Sequence, residues 1–139
     1  MQGQASISGQ IRASIQGEVL NDKYSLGMFS TDASLYQIFP LCVCLPKSKD
    51  DIRHIVEIAN KYEVPILARG GATSLAGQTV AKAIVIDYSK YLSKIIEYEP
   101  QEAWMKVEPG MVRDEVNKIA SHDNLHFAPD PATSNRATI

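Results

Sequence analysis

The stretch Ala68-Arg69-Gly70-Gly71-Ala72-Thr73-Ser74-Leu75-Ala76-Gly77-Gln78 decides how this chain folds and what it binds. It follows the apolar run Val64-Pro65-Ile66-Leu67, which predicts a strand, and a second apolar run, Ala83-Ile84-Val85-Ile86, comes soon after. Glycine lets backbone N–H groups turn inward without a Cβ in the way, and successive inward N–H groups form a nest that binds anions. Arginine and hydroxyl side chains add further donors. The stretch therefore indicates a cradle for phosphate or pyrophosphate.

Two common phosphate loops do not fit this stretch. The Walker pattern G-x-x-x-x-G-K-[ST] needs a lysine, but Gln78 follows Gly77 here. The dinucleotide fingerprint G-x-G-x-x-G is absent as well. A plain glycine-rich connection between two strands therefore stands as an alternative, and glycine content alone does not separate it from an anion site.

The composition describes a globular chain without the signatures of a nucleic-acid or membrane protein. The 139 residues are 45% hydrophobic with a net charge of -2, which suits one domain with a real core. No basic cluster appears, so we expect no nucleic-acid partner. No apolar stretch reaches the length of a membrane span, and the first residues lack the features of a signal peptide. A cytoplasmic location is the default expectation.

Cys42 and Cys44 lie in an apolar run between Pro40 and Pro46. Alternation along a strand places both thiols on one face. Two cysteines do not complete a four-ligand zinc site, and cysteine is often a small buried hydrophobe. We therefore predict no metal site, and two free, buried thiols in a reducing compartment.

A strand, a helix and a second strand precede the glycine-rich stretch. The run 41–45 predicts a strand buried on both faces, and Ser48 caps a helix whose apolar stripe includes Val56. Residues 64–68 predict the next strand, so these elements form a βαβ unit. The glycine-rich stretch thus leaves the carboxyl end of a strand, where α/β sheets bind ligands.

The flanking regions complete the predicted fold. Residues 5–17 carry isoleucines at spacing four, which predicts a helix, whereas residues 24–34 show no period and predict an irregular segment. Residues 93–98 and 103–108 predict a strand pair, followed by a helix at 111–121. The fold class is α+β: a βαβ-type subdomain with a small mixed sheet flanked by helices, and the start of a second, antiparallel subdomain.

Several motifs in the same order resemble one family. The stretch at 69–77 looks like the pyrophosphate loop of the FAD-binding domain in the p-cresol methylhydroxylase and vanillyl-alcohol oxidase superfamily. Pro129-Asp130-Pro131 and Ala137-Thr138-Ile139, in a predicted loop, resemble its second FAD segment. Ser30-Thr31-Asp32-Ala33-Ser34 resembles the approach to the domain in the branch that contains glycolate oxidase and D-lactate dehydrogenase. The resemblance covers about residues 18–139.

The resemblance implies FAD as the cofactor, gripped between two subdomains. It implies that the amides of 70–74 hold the pyrophosphate together with the hydroxyls of Thr73 and Ser74. The cofactor-binding residues that it implies are Arg69, Gly70, Gly71, Ala72, Thr73, Ser74, Leu75, Gly77, Pro109, Gly110, Asp130, Pro131, Ser134, Ala137 and Thr138. The implied reaction is hydride transfer from a small hydroxy acid, similar to glycolate or D-lactate, to the flavin, which performs the redox chemistry.

Two departures from the family pattern refine these expectations. Ala72 stands where some members tether FAD through a histidine, so we expect non-covalent FAD. The sequence ends before the family's two glycines, so we expect residues 37–139 to be the N-terminal part of a truncated FAD-binding domain, with an N-terminal helix and approach segment at 1–36. The family's catalytic base lies in the missing C-terminal part, so no catalytic residue is predicted and this chain alone is expected to be inactive.

Three functions compete at this point. The first is the FAD-binding part of a flavoprotein, an FAD-linked oxidase or 2-hydroxyacid dehydrogenase. The second is a standalone module that binds nucleotide phosphates without redox activity. The third is a regulatory βαβ domain whose glycine-rich stretch only connects two strands. The first is favoured because the glycine-rich stretch occurs together with the motifs at 129–131 and 137–139.

Overall fold

The computed structural model describes residues 2–139, with side chains from Ile7 onward. Its larger sheet contains β1 (Glu18–Leu20), β2 (Cys42–Leu45), β3 (Ile66–Arg69) and β4 (Ile84–Asp87), in the spatial order β1-β2-β4-β3. β1 pairs antiparallel with β2, while β2, β4 and β3 run parallel. The strands of the predicted βαβ unit are therefore parallel, but β4 lies between them.

The core lies between this sheet and the helices α1 (Gln2–Ser14) and α3 (Lys49–Lys61). Ile11 of α1 and Ile55 of α3 are fully buried against the side chains of β2 and β4. Cys42 and Cys44 belong to this cluster and are free thiols, as the sequence predicts. The strand alternation that puts both thiols on one face also places them beneath the two helices.

The segment predicted to be irregular contains a short helix, α2 (Lys23–Met28). The carboxylate of Asp22 accepts hydrogen bonds from the amides of Tyr24 (3.1 Å) and Ser25 (3.0 Å). These bonds satisfy the first free donors of the helix, which is the role of an N-cap residue. The prediction of an irregular segment was wrong here because it rested on periodicity and overlooked the capping signal.

The buried face of α3 differs from the predicted stripe. Ser48 caps the helix as predicted, accepting from the amide of Asp51 at 3.2 Å. Val56 is 46% exposed, however, whereas Asp51 is 3% exposed. The Asp51 carboxylate is buried because it accepts hydrogen bonds from the amides of Gln16 (2.9 Å) and Lys47 (2.8 Å). A satisfied carboxylate thus occupies a position that hydropathy assigns to solvent.

The second unit consists of an antiparallel hairpin and one helix. β5 (Ile95–Glu99) pairs with β6 (Trp104–Val107), which confirms the predicted strand pair. The helix α4 (Arg113–Ala120) is shorter than predicted, and short 3-10 turns occupy Pro100–Glu102 and Ser121–Asp123. Together these elements provide the α+β fold.

The residues after the 3-10 turn at Ser121–Asp123 form a loop that returns to the start of α4. Thr138 forms an antiparallel bridge with Val112, and the amide of Ile139 donates to the Met111 carbonyl at 3.1 Å. We call residues 127–139 the tail. Within the described part of the chain, no helix has both the length and the apolar character needed to cross a membrane.

Candidate functional site

The glycine loop, residues 70–80, leaves the carboxyl end of β3 without regular structure. Ala72 (φ 53°) and Gly77 (φ 78°) adopt left-handed backbone conformations, which turn neighbouring N–H groups toward a common side. Among the described residues, the amides at 71–75 donate to no other protein atom. A row of free donors on an irregular backbone fits an anion, because each N–H group lacks a partner within the protein.

An open cavity of about 590 Å³ is lined by both the glycine loop and the tail. Hydroxyl-bearing side chains from both segments line it, and Ala33 adds a third wall. The lining residues are Ala33, Gly70, Gly71, Ala72, Thr73, Ser74, Leu75, Ala76, Gln78, Thr79, Pro131, Ala132, Thr133, Ala137 and Thr138. The two motif regions that are far apart in sequence therefore enclose one space.

Two glycines allow the loop and the tail to touch. A Cβ atom on Gly70 would overlap Oγ1 of Thr138, and a Cβ on Gly71 would overlap the backbone carbonyl of Arg136. Real Cβ atoms do not approach this closely, so larger residues at either position would displace the tail. Glycine is needed here for close approach of backbone.

Ser74 uses its hydroxyl to shape the loop from within. Its Oγ donates to the side-chain oxygen of Gln78 and accepts from the amides of Ala76 (3.3 Å) and Gln78 (3.2 Å). A serine that bonds to backbone amides two and four residues ahead fixes a local turn. The side chain thus supports the conformation that presents the preceding amides.

The guanidinium of Arg69 supports the loop from below. Arg69 is 8% exposed and donates to the carbonyls of Phe29 (3.1 Å), Thr31 (2.9 Å) and Thr79 (3.1 Å). Burial lowers its pKa, while the nearby Asp87 and Asp32 oppose that effect. The N–H groups therefore point to backbone carbonyls, and the side chain does not line the cavity.

Asp32 ties the preceding segment to the end of the glycine loop. One carboxylate oxygen accepts from the Ser34 amide at 2.9 Å, and the other accepts from the hydroxyl (3.0 Å) and amide (3.4 Å) of Thr79. These bonds, those from Ser34 first, lower the Asp32 pKa to about 2. The adjacent Ala33 amide donates to the Ala72 carbonyl at 3.1 Å. Asp32 belongs to a motif that carries the family resemblance, but no part in the site was predicted for it.

Nine of the fifteen predicted site residues line the cavity, and the other six do not. Those outside the lining are Arg69, Gly77, Pro109, Gly110, Asp130 and Ser134. Gly110 packs beneath the carbonyls of Tyr88 and Leu92, and Asp130 pairs with Arg113 at 3.1 Å.

Several residues in the cavity wall were not predicted from the sequence. They are Ala33, Ala76, Gln78, Thr79, Ala132 and Thr133. Thr79 and Thr133 lie in sequence beside the motifs at 69–77 and 129–131. Their hydroxyl groups, so close to a predicted anion loop, were the signal that could have identified them.

Comparison with known proteins identifies the family. Residues 40–139 match a family described as FAD binding domain. D-2-hydroxyglutarate dehydrogenase of Escherichia coli K12 is 39% identical over 113 residues, which are 79% of this chain and 11% of that protein. Glycolate oxidase subunit GlcD of Bacillus subtilis 168 is 29% identical over 81% of this chain and 24% of its own length. The chain thus spans a small part of the relatives that it matches.

Solved structures share the fold at low sequence identity. The chain superposes on 4-ethylphenol oxidase from Gulosibacter chungangensis with a TM-score of 0.79 and 22% identity, covering 95% of this chain and 27% of that one. For p-cresol methylhydroxylase the TM-score is 0.68 with 21% identity, over 90% of this chain and 26% of that one. The resemblance inferred from the motifs is confirmed, and the chain belongs to the FAD binding domain family of the FAD-linked oxidases and dehydrogenases.

Proposed function

We propose that this chain holds the pyrophosphate of FAD and that the whole protein oxidises a small 2-hydroxy acid by hydride transfer to that FAD. The observation that carries the proposal is the cavity between glycine loop and tail, which is lined by residues 71–75, whose amides have no acceptor among the described residues, and by threonines of both segments. The relatives named D-2-hydroxyglutarate dehydrogenase and glycolate oxidase subunit support a 2-hydroxy acid as the substrate class.

The residues present fit a pyrophosphate group. Among the described residues, the amides at 71–75 have no hydrogen-bond acceptor, and Thr73 of the loop and Thr138 of the tail both line the cavity. No lysine or arginine is among the described residues that line it, so binding relies on backbone dipoles rather than on a cationic side chain. When bound, FAD supplies the hydride acceptor, and the protein supplies position.

Several finer assignments remain predictions of this proposal. Arg69 and Gly77 shape the loop, while Pro109, Gly110, Asp130 and Ser134 border the remainder of the cofactor. Residues 37–139 form the first part of the FAD-binding domain and residues 1–36 approach it. A cytoplasmic location likewise stays a prediction from the sequence.

The decisive experiment is reduction of bound flavin by candidate substrates. We expect the purified whole protein to carry FAD, and its flavin absorption to bleach anaerobically on addition of D-2-hydroxyglutarate, D-lactate or glycolate. Bound FAD that none of a broad hydroxy-acid panel reduces would contradict the substrate class. Binding of ADP without FAD would favour the alternative, a nucleotide-phosphate module without redox activity.

Non-covalent attachment of FAD is tested separately. Ala72 offers no nucleophile in the loop, and both cysteines are buried in the core. Acid precipitation of the flavin-loaded protein should release all the flavin into the supernatant. Yellow colour that stays with the pellet would contradict non-covalent binding.

Residues 1–139 alone are expected to bind FAD weakly and to show no turnover. A pyrophosphate loop contributes a few hydrogen bonds of roughly 1–3 kcal/mol each when charge-assisted, and these must first offset an association cost of at least ~4 kcal/mol. Fluorescence titration of residues 1–139 with FAD measures this directly. A submicromolar dissociation constant would contradict the expectation.

A further inference from the structure

The segment 29–38 precedes the part of the chain that matches the family, which begins at residue 40. An antiparallel bridge between Thr31 and Gln37 and a hydrogen bond from the Ile38 amide to the Ser30 carbonyl (2.9 Å) close it into a compact turn. We call residues 29–38 the clasp. It contains the motif at 30–34 that resembles the approach to the domain, and it contacts the glycine loop.

The clasp contacts the glycine loop at three separate points. Asp32 binds the hydroxyl and amide of Thr79, and the Ala33 amide binds the Ala72 carbonyl. The ring of Tyr36 covers Gly77 so closely that a Cβ there would lie 2.6 Å from Cδ2. The clasp therefore contacts the glycine loop at Ala72, at Gly77 and at Thr79.

We propose that Asp32 is a positioning residue that holds the glycine loop in its anion-binding conformation, and that the clasp is thereby part of the cofactor site. The first part of this proposal concerns the loop conformation in the chain without FAD. Its consequence for FAD affinity rests on the proposed function.

Asp32 suits this role because its two carboxylate oxygens accept hydrogen bonds from two different segments. One oxygen accepts within the clasp from Ser34, and the other accepts across to Thr79 in the loop. Asparagine has one acceptor oxygen and one donor group. In Asp32→Asn, the side-chain oxygen of asparagine can keep the bond from the Ser34 amide. Its NH₂ group then faces the Thr79 amide, so that two donors oppose each other and the loop loosens.

Asp22 provides a matched control for this substitution. Its carboxylate also accepts from two nearby amides and from a serine hydroxyl, that of Ser25. These contacts lie within the cap of α2 and include none with the glycine loop. Asp22→Asn therefore makes the same chemical change in a local turn that does not touch the site.

Trypsin cleavage at Arg69 measures opening of the loop in the chain without FAD. Arg69 and Arg113 are 8% and 9% exposed, so neither is cut readily in the folded protein. Cleavage after Arg113 reports opening of the second unit or global unfolding, whereas cleavage after Arg69 also reports opening of the glycine loop. We expect Asp32→Asn to raise the initial rate at Arg69 about tenfold relative to that at Arg113, since protease access follows the population of the open form.

Variants of Thr79 separate positioning from packing. Thr79→Val keeps the shape and removes the hydroxyl, so we expect faster cleavage at Arg69, whereas Thr79→Ser keeps the donor and should behave nearly as the wild type. The reverse order would show that the methyl group matters and would overturn the proposal. Equal Arg69-to-Arg113 cleavage ratios in Asp32→Asn and Asp22→Asn would overturn it as well.

FAD affinity of the whole protein tests the functional consequence. We expect Asp32→Asn to raise the dissociation constant at least roughly tenfold, as loss of a charge-assisted bond predicts, with Asp22→Asn unchanged. A wild-type protein that binds no FAD would refute the proposed function, while the cleavage ratios still decide the role of Asp32. Equal FAD affinity in the wild type and in Asp32→Asn would refute the role in the cofactor site and leave the proposed function standing.

Discussion

Two buried arginines support the two sides of the cavity in different ways. Arg69, at the end of β3, donates to three backbone carbonyls, those of Phe29, Thr31 and, within the glycine loop, Thr79. Arg113, at the start of α4, donates to the Pro129 carbonyl at 2.9 Å and pairs with Asp114 and Asp130, each at 3.1 Å. The first guanidinium therefore cross-links backbone, whereas the second also binds two carboxylates.

The difference predicts that the loop side is the more rigid side of the cavity. The side chains of Asp114 and Asp130 are 42% and 76% exposed, so water can replace Arg113 as their partner. The carbonyls that face Arg69 belong to two segments far apart in sequence, and one guanidinium joins them. Loss of a shared buried donor leaves several acceptors unpaired at once.

The largest expected effect comes from a bulky residue at the contact between the glycine loop and the tail. Gly71→Val places a branched side chain against the Arg136 carbonyl, so the tail is displaced and the whole protein loses FAD retention. Overpacking of this kind costs roughly 1–3 kcal/mol of unfolding free energy. Gly27→Val is the control, because a Cβ at Gly27 meets nothing within 4 Å. FAD retention by Gly71→Val equal to that of the control would contradict the contact between loop and tail.

Removal of each arginine tests the comparison directly. Arg69→Met should lower the free energy of unfolding by about 2–3 kcal/mol, since several carbonyls lose a charged donor together. Arg113→Met should cost about half as much, because its carboxylate partners regain water. Urea unfolding of both variants measures the order, and a larger loss for Arg113→Met would reverse our account of the two sides.

The contribution of Asp32 depends on pH in a defined direction. Its pKa is lowered from 3.8 to about 2, by the hydrogen bonds from Ser34 first and then those from Thr79. The ionised carboxylate therefore stabilises the folded state fully above pH 3.8, and this contribution is lost as the pH falls through about 2. The difference in unfolding free energy between wild type and Asp32→Asn should be constant from neutral pH to about pH 4 and shrink below it. A difference that grows on acidification would contradict the assignment.

The smallest effect is expected at the exposed end of the tail. Asp130→Asn removes the ion pair with Arg113 but keeps the bond from Arg113 to the Pro129 carbonyl. Exposed ion pairs contribute little, so we expect a loss of at most ~0.5 kcal/mol in urea unfolding. A loss as large as that of Arg113→Met would show that the carboxylate, rather than the carbonyl, holds the tail.

Local sequence patterns located β2, β3, β4, the hairpin and the glycine loop, whereas β1 was not predicted. The uninterrupted apolar runs at 41–45 and 83–86 lie in fully buried strands, and the alternating run at 103–108 became half of a hairpin. Three glycines in a short stretch after a strand indicated an irregular loop with free amides. These features depend on neighbours within a few residues, which the sequence displays directly.

Tertiary structure alone decided what the charged and polar side chains contact. Nothing near Arg69 in the sequence shows that its guanidinium would bind the carbonyls of Phe29 and Thr31, and nothing near Asp32 points to Thr79. The insertion of β4 between β2 and β3 is likewise set by packing of the whole sheet. Side-chain period and backbone freedom are encoded locally, whereas the partner of a buried charge is chosen by whichever distant segment the completed fold brings within hydrogen-bond distance.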